Sequence, residues 1–423
     1  MVLLVCLVRS AGANEEPAPS GLTLEAAQQL AIVRNWDLLA AKSDVDLAIA
    51  QTIMAREFPN PTVSLLSGKI NTDSNPNSTP DGNSLWHRSY DTIAAVNQLL
   101  EIGGKRRSRQ LSAQSGLAGA RLRFLDAKRL LDLGVAKAYI AVVQAEANVR
   151  ILQESAKSLR REAEIAALRL QAGDISLADK SQIEITADRF ELEARTAAAA
   201  SLAARITLEN LLGEPKPAGT TLLADGLERL CATAAPGSGS TTNGMARADL
   251  LAAEAAVKKA AAEVRLQKAL RIPDPTLTVQ YEHQPPDQPN TVGLGVSFPL
   301  PLWNRNKSGI ATARAAEAQA QVALDKTRAQ IAADIAIAQA AYQEAASRWK
   351  DYRDIVRPKS ATIRQTVAYA YEKGGASLLD LLSAERNDND VRLAAAQSQA
   401  DIAAAASTLK SALETPHLEA RTK

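Results

Sequence analysis

Histidine and cysteine are the side chains that most often bind metals or act as nucleophiles and bases, and this 423-residue chain has three histidines and two cysteines. His87, His283 and His417 fall in loops, at a strand end or in the tail, with neither metal-ligand nor catalytic-triad spacing. The EIGGKR segment lacks the GxxxxGK[ST] spacing of a phosphate-binding loop. We therefore predict that the protein is not an enzyme and that it holds no cofactor and no resident metal.

Acidic side chains draw attention where a glycine precedes them in two similar segments, Leu170–Asp179 and Tyr371–Asp380. Gly173 and Gly374 are suited to the left-handed conformation that ends a helix. Asp179 and Asp380 would then lie in the first turn of the returning helix, where the helix dipole favours a negative charge. Helix capping is a sufficient explanation of both carboxylates, and a functional role stays open beside it.

Charge and composition indicate which kind of fold carries these residues. The 49 basic and 47 acidic residues give a net charge of +2, which argues against a nucleic-acid-binding face. Only 4% of the residues are aromatic, while alanine, leucine and charged residues abound, which is typical of long, closely packed helices. Length alone predicts roughly two to three domains.

The chain also repeats itself, with landmarks about 200 to 214 residues apart. The matched pairs are Pro59–Val63 with Pro273–Leu277, Val96–Arg106 with Val296–Asn306, and Leu170–Asp179 with Tyr371–Asp380. We therefore divide the chain into a truncated signal segment (1–13), a first repeat (14–213), a connector (214–244), a second repeat (245–415) and a tail (416–423).

The amino terminus has features of a secretory signal. An apolar run, Met1–Val8, precedes the small residues 11–13, although no basic region comes first. Cys6 would be removed with such a signal, which leaves Cys231 as the single thiol. A frayed apolar terminus and a lipid-modified Cys6 are the alternatives.

The helical pattern is regular. From Val135 to Leu170, apolar residues keep the spacing of a coiled-coil seam, and the series returns from Ile331 to Val356. A helix over residues 105–172 would be about 100 Å long. Pro358 is expected to kink the second repeat's helix near Arg357, since proline removes a backbone donor.

Each repeat also contains two strand-like segments. In the second repeat, Leu277, Val279 and Tyr281 alternate with polar residues, and the pattern resumes from Val292 to Phe298. This alternation fits strands that face lipid on one side and water on the other. Four strands cannot close a sheet on themselves, so the membrane interpretation requires several protomers, and three would supply twelve strands. A soluble hairpin covering the helix ends is the alternative.

The ordered motifs PNPTV, NQLLEIGGKR, GDISLAD and GGASLLD together resemble the TolC-type outer-membrane efflux proteins over residues 21–415, and among these the outer-membrane subunits of cobalt–zinc–cadmium resistance systems. The resemblance implies a mainly α fold with a small β part: a homotrimer with a long α-helical coiled-coil barrel and a 12-stranded transmembrane β-barrel. It implies a passive exit duct in the outer membrane of a Gram-negative bacterium, with a large periplasmic portion and heavy-metal cations as cargo. The implied partners are a periplasmic membrane-fusion adaptor, an inner-membrane proton-driven RND-type pump and outer-membrane lipid, with no nucleic acid.

The resemblance also assigns roles to residues near the turns. The periplasmic gate candidates are Asp380, Tyr371, Glu385 and Asp179. The candidates for adaptor contact are Leu168, Arg169, Gly173, Asp174, Gly374 and Ser377. The family's tip often carries an arginine after the second-turn glycine, whereas Gly375 and Ala376 follow Gly374 here, which puts an interprotomer salt bridge at that position in doubt.

Basic residues follow the bend at Gly103 and Gly104, at the start of a helix where the dipole disfavours cations. Contact with phospholipid phosphates would explain them, and a solvated basic collar is the alternative. The membrane-interface candidates are Lys105, Arg106, Arg107, Trp303, Arg305 and Lys307.

Two further functions remain open: a periplasmic coiled-coil scaffold without a pore, and an efflux duct for organic drugs rather than metals. The alternating strands favour a duct over the scaffold.

Overall fold

The computed structural model describes residues 21–70, 89–233, 246–284 and 288–415. Several predictions concern parts of the chain outside the described residues: the signal segment 1–13 with Cys6, the later part of the connector (234–244), the tail 416–423, and the side chains of His87 and His417.

Helices of 7 to 68 residues make up most of the described chain. They are α1 (Leu24–Arg34), α2 (Trp36–Met54), α3 (Lys105–Ala172), α4 (Leu177–Leu211), α5 (Leu227–Thr233), α6 (Ala248–Ala269), α7 (Lys307–Asp351), α8 (Arg357–Glu372) and α9 (Leu378–Leu413). The predicted 105–172 helix is confirmed at both ends as α3, with 68 residues. None of the helices in the described residues is both long and apolar enough to cross a membrane.

The predicted helical seams are buried or half-buried at every position except Val356. In α3, Val135 and Val142 have no exposed surface, and Leu159 is 1% exposed. Ala156, Ala163 and Ala166 are buried along the same seam, where their small side chains allow close approach. The second repeat buries Ile331, Ala338, Ala345 and Trp349 in the same way. Val356 is the exception, since it is 36% exposed.

That exception lies beside Pro358. Residues Tyr352–Val356 form a π-helical turn between α7 and α8, and the Arg357 N–H donates to the carbonyl of Tyr352, five residues back. Pro358 occupies the first turn of α8, where a missing N–H is tolerated. The regular α-helix thus gives way to a π turn just before Arg357, whereas the kink expected at Pro358 stays a prediction.

The four strands form one antiparallel sheet in the order β1 (Thr62–Ile70), β2 (Ser89–Leu99), β3 (Thr276–Gln284) and β4 (Gln288–Ser297). Both hairpins therefore join one sheet through the pairing of β2 with β3, where Val96 lies opposite Val279. Phe298, which was predicted in the last strand, lies one residue beyond β4. β1 and β4 are the edges of this sheet.

The chain divides into two compact units, and each contains residues from both predicted repeats. One unit comprises the described parts of Met1–Leu39, Ala127–Gly244 and Ala333–Glu414, with Tyr139 fully buried in its core. The other comprises the described parts of Ala40–Asp126, Met245–Ala332 and Thr415–Lys423, and it contains the sheet.

The first part of the connector is fixed to α4 by one buried carboxylate. Glu209 is 3% exposed and accepts backbone hydrogen bonds from Ala218 (2.7 Å), Gly219 (2.6 Å) and Thr221 (2.9 Å), with another from the Thr221 hydroxyl (2.9 Å). Burial alone would raise the pKa of Glu209, but these hydrogen bonds lower it to about 2. Apolar contacts hold the connector as well, because Leu227 and Leu230 of α5 are buried in the core that contains Tyr139.

Candidate functional site

The two predicted turns are built by the same backbone hydrogen bonds. At the first turn, Gly173 has a φ of 82°, and its N–H donates to the carbonyl of Leu170 (3.1 Å). The Asp174 N–H donates to the carbonyl of Arg169 (2.9 Å), which completes a Schellman motif. Gly374 repeats this geometry at the second turn with a φ of 75°. The turn prediction is confirmed in both repeats.

Both aspartates after the turns belong to capping boxes. Ser176 accepts from the Asp179 N–H (3.1 Å), and the Asp179 carboxylate accepts from the Ser176 N–H (3.2 Å). Ser377 and Asp380 make the same pair of bonds, at 3.2 and 3.0 Å. The Ser377 hydroxyl and N–H lower the pKa of Asp380 by hydrogen bonding to its carboxylate. The capping explanation is confirmed, and Asp380 stays exposed.

Arg169 and Tyr371 connect the two turns. The Arg169 guanidinium carbon lies 5.4 Å from the centre of the Tyr371 ring, within the range of a cation–π interaction. Its Nη2 atom lies 3.5 Å from the carbonyl oxygen of Glu372, at the outer limit of a hydrogen bond. The structure thus brings an adaptor-contact candidate together with a gate candidate, while Asp179 and Asp380 are each held within their own turn.

The turns also present apolar side chains to solvent. Leu168 is 66% exposed, and Tyr369, which occupies the matching position of the second repeat, is 65% exposed. Leu177 and Leu379 at the start of the returning helices are each 66% exposed. Exposed apolar residues at the turns are suited to a protein contact.

Glu385 lies in a partly buried charged cluster with α8. Its carboxylate is 3.4 Å from Arg364, whose guanidinium is also 3.2 Å from Asp388. The Ser360 hydroxyl donates to Asp388 (3.0 Å). Burial raises the pKa of Glu385, an effect that Arg364 opposes and that Asp388 and Glu162 reinforce. Arg364 and Asp388 were not singled out from the sequence, although the spacing of three residues between Glu385 and Asp388 places both on one helix face.

Lys105 is buried at the junction between β2 and α3. It is 4% exposed, its Nζ lies 2.7 Å from Asp274, and it donates to the carbonyl of Ile272 (2.5 Å). Asp274 also accepts from the Ile102 N–H (2.9 Å). These contacts explain a cation in the first helical turn, because its charge is neutralised locally. They do not fit the lipid-facing role that was predicted for Lys105.

The neighbouring arginines fasten the segment before β1 to the same junction. Arg106 lies 3.8 Å over the ring of Phe58 and donates to the carbonyl of Arg56 (3.0 Å). Arg109 makes two hydrogen bonds to the carboxylate of Glu101, at 2.6 and 3.0 Å. Arg107 alone of the three predicted cations at this junction is exposed.

The corresponding junction of the second repeat is open to solvent. Trp303 is 93% exposed, and Arg305 and Lys307 are exposed beside it. Between them Asn306 adopts a φ of 52°, and its side-chain amide donates to the carbonyl of Gln267 (2.8 Å). An exposed tryptophan beside exposed basic side chains is suited to contact at a membrane surface.

One face of the sheet is apolar and exposed across all four strands. Val63, Val96, Val279 and Leu294 lie side by side in register, with exposures of 78, 47, 46 and 81%. A second row contains Leu65, Ala94, Tyr281 and Val292. On the opposite face, Thr278 donates to Asn97 (2.7 Å). Such a sheet fits apolar surroundings on one side and polar surroundings on the other.

Comparison with known proteins gives consistent matches along the chain. The family model described as outer membrane efflux protein matches residues 27–214 and 245–415. The cobalt-zinc-cadmium resistance protein CzcC of Cupriavidus metallidurans is 25% identical over 370 residues, which is 87% of this chain and 84% of that protein. The pyoverdine export outer membrane protein OpmQ of Pseudomonas putida is 26% identical over 408 residues, covering 89% of this chain and 84% of that protein. The crystal structure of a membrane protein from Pseudomonas aeruginosa matches with a TM-score of 0.79 at 18% identity, covering 97% of this chain and 99% of that one.

Proposed function

Because the chain belongs to the outer membrane efflux protein family, we propose that it is the exit duct of a tripartite efflux system whose cargo is heavy-metal cations. Proteins of this family are non-enzymatic channels of the Gram-negative outer membrane with a periplasmic helical portion, and they work in tripartite systems. The predicted family, location and fold class are thereby confirmed. The division into repeats 14–213 and 245–415 stays a prediction.

The observation that carries the duct proposal is the apolar face of the sheet together with its two edges. A sheet in lipid cannot leave backbone groups unpaired. Pairing of β4 of one protomer with β1 of the next would satisfy both edges, and three copies would supply twelve strands. Trp303, Arg305, Lys307 and Arg107 are then the side chains proposed to meet lipid headgroups.

The paired turns are proposed as the periplasmic end of the duct. Asp380 presents an exposed carboxylate that its hydrogen bonds with Ser377 keep ionised, which suits a narrow cation-conducting opening. Leu168, Tyr369 and the surrounding turn residues offer the exposed apolar surface for a periplasmic adaptor. The inner-membrane proton-driven RND-type pump would supply the energy, since a passive duct has none of its own.

The cargo proposal rests on the likeness to CzcC, whose name specifies cobalt, zinc and cadmium. The described residues contain no group of three or more His, Cys, Asp or Glu side chains arranged to hold a metal. A conduit needs no tight site, because ions must leave it as easily as they enter. The second candidate is an organic cargo, and the likeness to OpmQ, named for pyoverdine export, favours it.

Deleting the gene in its own host tests the cargo. We expect greater sensitivity to zinc, cobalt or cadmium that a plasmid copy restores, with unchanged tolerance of organic drugs. Sensitivity to organic compounds alone would replace the metal proposal with the second candidate. A complementing copy with the exposed control change Arg195→Gln should behave as the wild type.

A further inference from the structure

The apolar face of the sheet ends in a row of polar side chains that crosses all four strands, which we call the outer polar row. Its members are Ser67, Thr92, His283 and Asn290. Because side chains alternate between the two faces of a strand, Ser67 shares the face of Val63 and Leu65. The Ser67 and Thr92 hydroxyls lie 3.3 Å apart. The apolar rows are thus bounded on this side by groups that form hydrogen bonds.

The outer polar row lies at the hairpin end of the sheet, where Gln284 is paired with Gln288. The strand ends that follow or precede helices lie at the other end, where Leu99 is paired with Thr276. The helical portion of proteins in this family is periplasmic. In the proposed duct, the hairpin end therefore faces the cell exterior, and the outer polar row lies at the level of the outer leaflet.

Two neighbours fix the orientation of Asn290 in this row. The Tyr281 hydroxyl donates to Asn290 Oδ1, and His283 Nδ1 lies 3.3 Å from the same oxygen. An amide oxygen only accepts, so Nδ1 carries the proton in this contact. Asn290 is exposed, and its NH2 group has no acceptor in the part of the chain that the structure describes. Asn290 thus presents two oriented donors directly beyond the apolar rows.

Tyr281 spans the boundary between the two kinds of surface. Its ring lies in the apolar row beside Val292, its partner in register, while its hydroxyl reaches Asn290. A tyrosine with an apolar ring and a hydrogen-bonded hydroxyl is typical of the level at which acyl chains give way to headgroups. The chemistry of the face therefore changes at the height of the Tyr281 hydroxyl.

We propose that the outer polar row binds the phosphorylated sugar headgroups of lipopolysaccharide, with the Asn290 NH2 group donating to a phosphate oxygen. The inference rests on the proposed duct, in which the apolar face meets acyl chains. Continuity with that face favours a lipid over a protein partner, because a headgroup lies directly beyond its own acyl chains. Hydrogen bonds from an amide to a charged phosphate are stronger than those to a neutral acceptor, so the phosphates should dominate the affinity.

The test is native mass spectrometry of the purified full-length oligomer, titrated with bis-phosphorylated lipid A, with lipid A lacking both phosphates, and with phosphatidylglycerol. The wild type should bind the bis-phosphorylated form roughly tenfold more tightly than either other lipid. Asn290→Asp keeps an oxygen for Tyr281 and His283 but replaces the NH2 donors with negative charge. This variant should bind bis-phosphorylated lipid A roughly tenfold more weakly and lose the preference for phosphates.

Asn97→Asp is the matched control. Asn97 lies on the opposite face of the sheet, where its Oδ1 accepts from Thr278 (2.7 Å), so the same chemical change is made away from the apolar face. We expect wild-type affinity for all three lipids.

The headgroup contact is overturned if the wild type does not distinguish the two forms of lipid A, or if phosphatidylglycerol binds as tightly as the bis-phosphorylated form. It is also overturned if Asn290→Asp binds as the wild type does, or if Asn97→Asp loses as much affinity. An oligomer that conducts in planar bilayers but fails these comparisons overturns the headgroup contact alone. A wild-type chain that forms no oligomer and carries no current would instead overturn the duct.

Discussion

Lys105 and Asp274 form an ion pair of 2.7 Å that joins the start of α3 to the segment before β3. Their side chains are only 5% and 18% exposed. The pair thus binds the start of α3 to the segment that leads into β3, beside the pairing of β2 with β3.

Removing one member of this pair should destabilise the protein. Lys105→Met leaves the Asp274 carboxylate poorly solvated, and we expect a loss of about 3 kcal/mol in the free energy of unfolding. Arg107→Met is the control, because Arg107 is exposed in the same helical turn and should change stability by less than about 0.5 kcal/mol. Urea unfolding of the detergent-solubilised protein measures both. Equal losses would contradict a specific role for the pair.

Two glycines should respond to alanine in opposite directions. Gly374 has a φ of 75°, a backbone conformation that is strained for any residue with a Cβ, although a Cβ there would meet no atom within 4 Å. Gly374→Ala should therefore lower the free energy of unfolding by about 1–2 kcal/mol. Gly134 lies inside α3 with equal space and no positive φ, so Gly134→Ala should stabilise by about 0.5–1 kcal/mol. Thermal unfolding distinguishes them, and a shift of both in one direction would contradict the conformational argument.

Glu209 should make stability depend on acid pH. Its pKa is about 2 in the folded protein and 4.5 in the unfolded chain. A depressed pKa gives stability that is present above pH 4.5 and is lost as the pH falls towards 2, up to about 3 kcal/mol.

Glu209→Gln should therefore lower stability at pH 7 and flatten its dependence between about pH 5 and 2. Glu214→Gln, an exposed change in the same connector, should leave the wild-type curve intact. Denaturation midpoints recorded at several pH values provide the comparison. If the stability of Glu209→Gln fell with pH as steeply as that of the wild type, groups other than Glu209 would determine the loss of stability in acid.

The ion pairs of Arg364 with Glu385 and Asp388 should contribute unequally to the free energy of unfolding when one member is replaced. The raised pKa of Glu385 means that its ionised form is disfavoured by folding, so it contributes stability at low pH that is lost as the pH rises through the folded pKa. Glu385→Gln should then be tolerated at pH 7. Arg364→Gln leaves the carboxylates of Glu385 and Asp388 without their cation and should cost about 1–3 kcal/mol, because the guanidinium is partly exposed. Urea unfolding of both variants at pH 7 measures which one loses more stability. A larger loss of stability in Glu385→Gln than in Arg364→Gln would contradict this argument.

The periodic elements could be predicted from the sequence because their physical cause is local. The seam from Val135 to Leu170 follows from spacing, and the turns follow from Gly173, Gly374 and the capping serines. The alternation of apolar and polar residues predicted the strands. The pattern was weaker in β1, because Leu66 interrupts the period, and in β2, because Thr92, Ala94 and Val96 are only mildly apolar.

Side-chain partners could not be predicted, because they come from distant segments. Nothing near Lys105 in sequence identifies Asp274, and a basic run has the same appearance whether it faces lipid or a buried carboxylate. The contact of Arg169 with Tyr371 likewise requires the two repeats to be packed together. Local patterns fix elements, whereas ion pairs depend on the tertiary arrangement.

Conductance of the purified protein tests the central claim most directly. We predict that a detergent-stable species of three times 44.9 kDa produces discrete current steps in a planar bilayer, and that its monomers do not. A matched bilayer with detergent alone is the control. A purified, folded chain that forms no such oligomer and carries no current would contradict the duct and favour a scaffold without a pore.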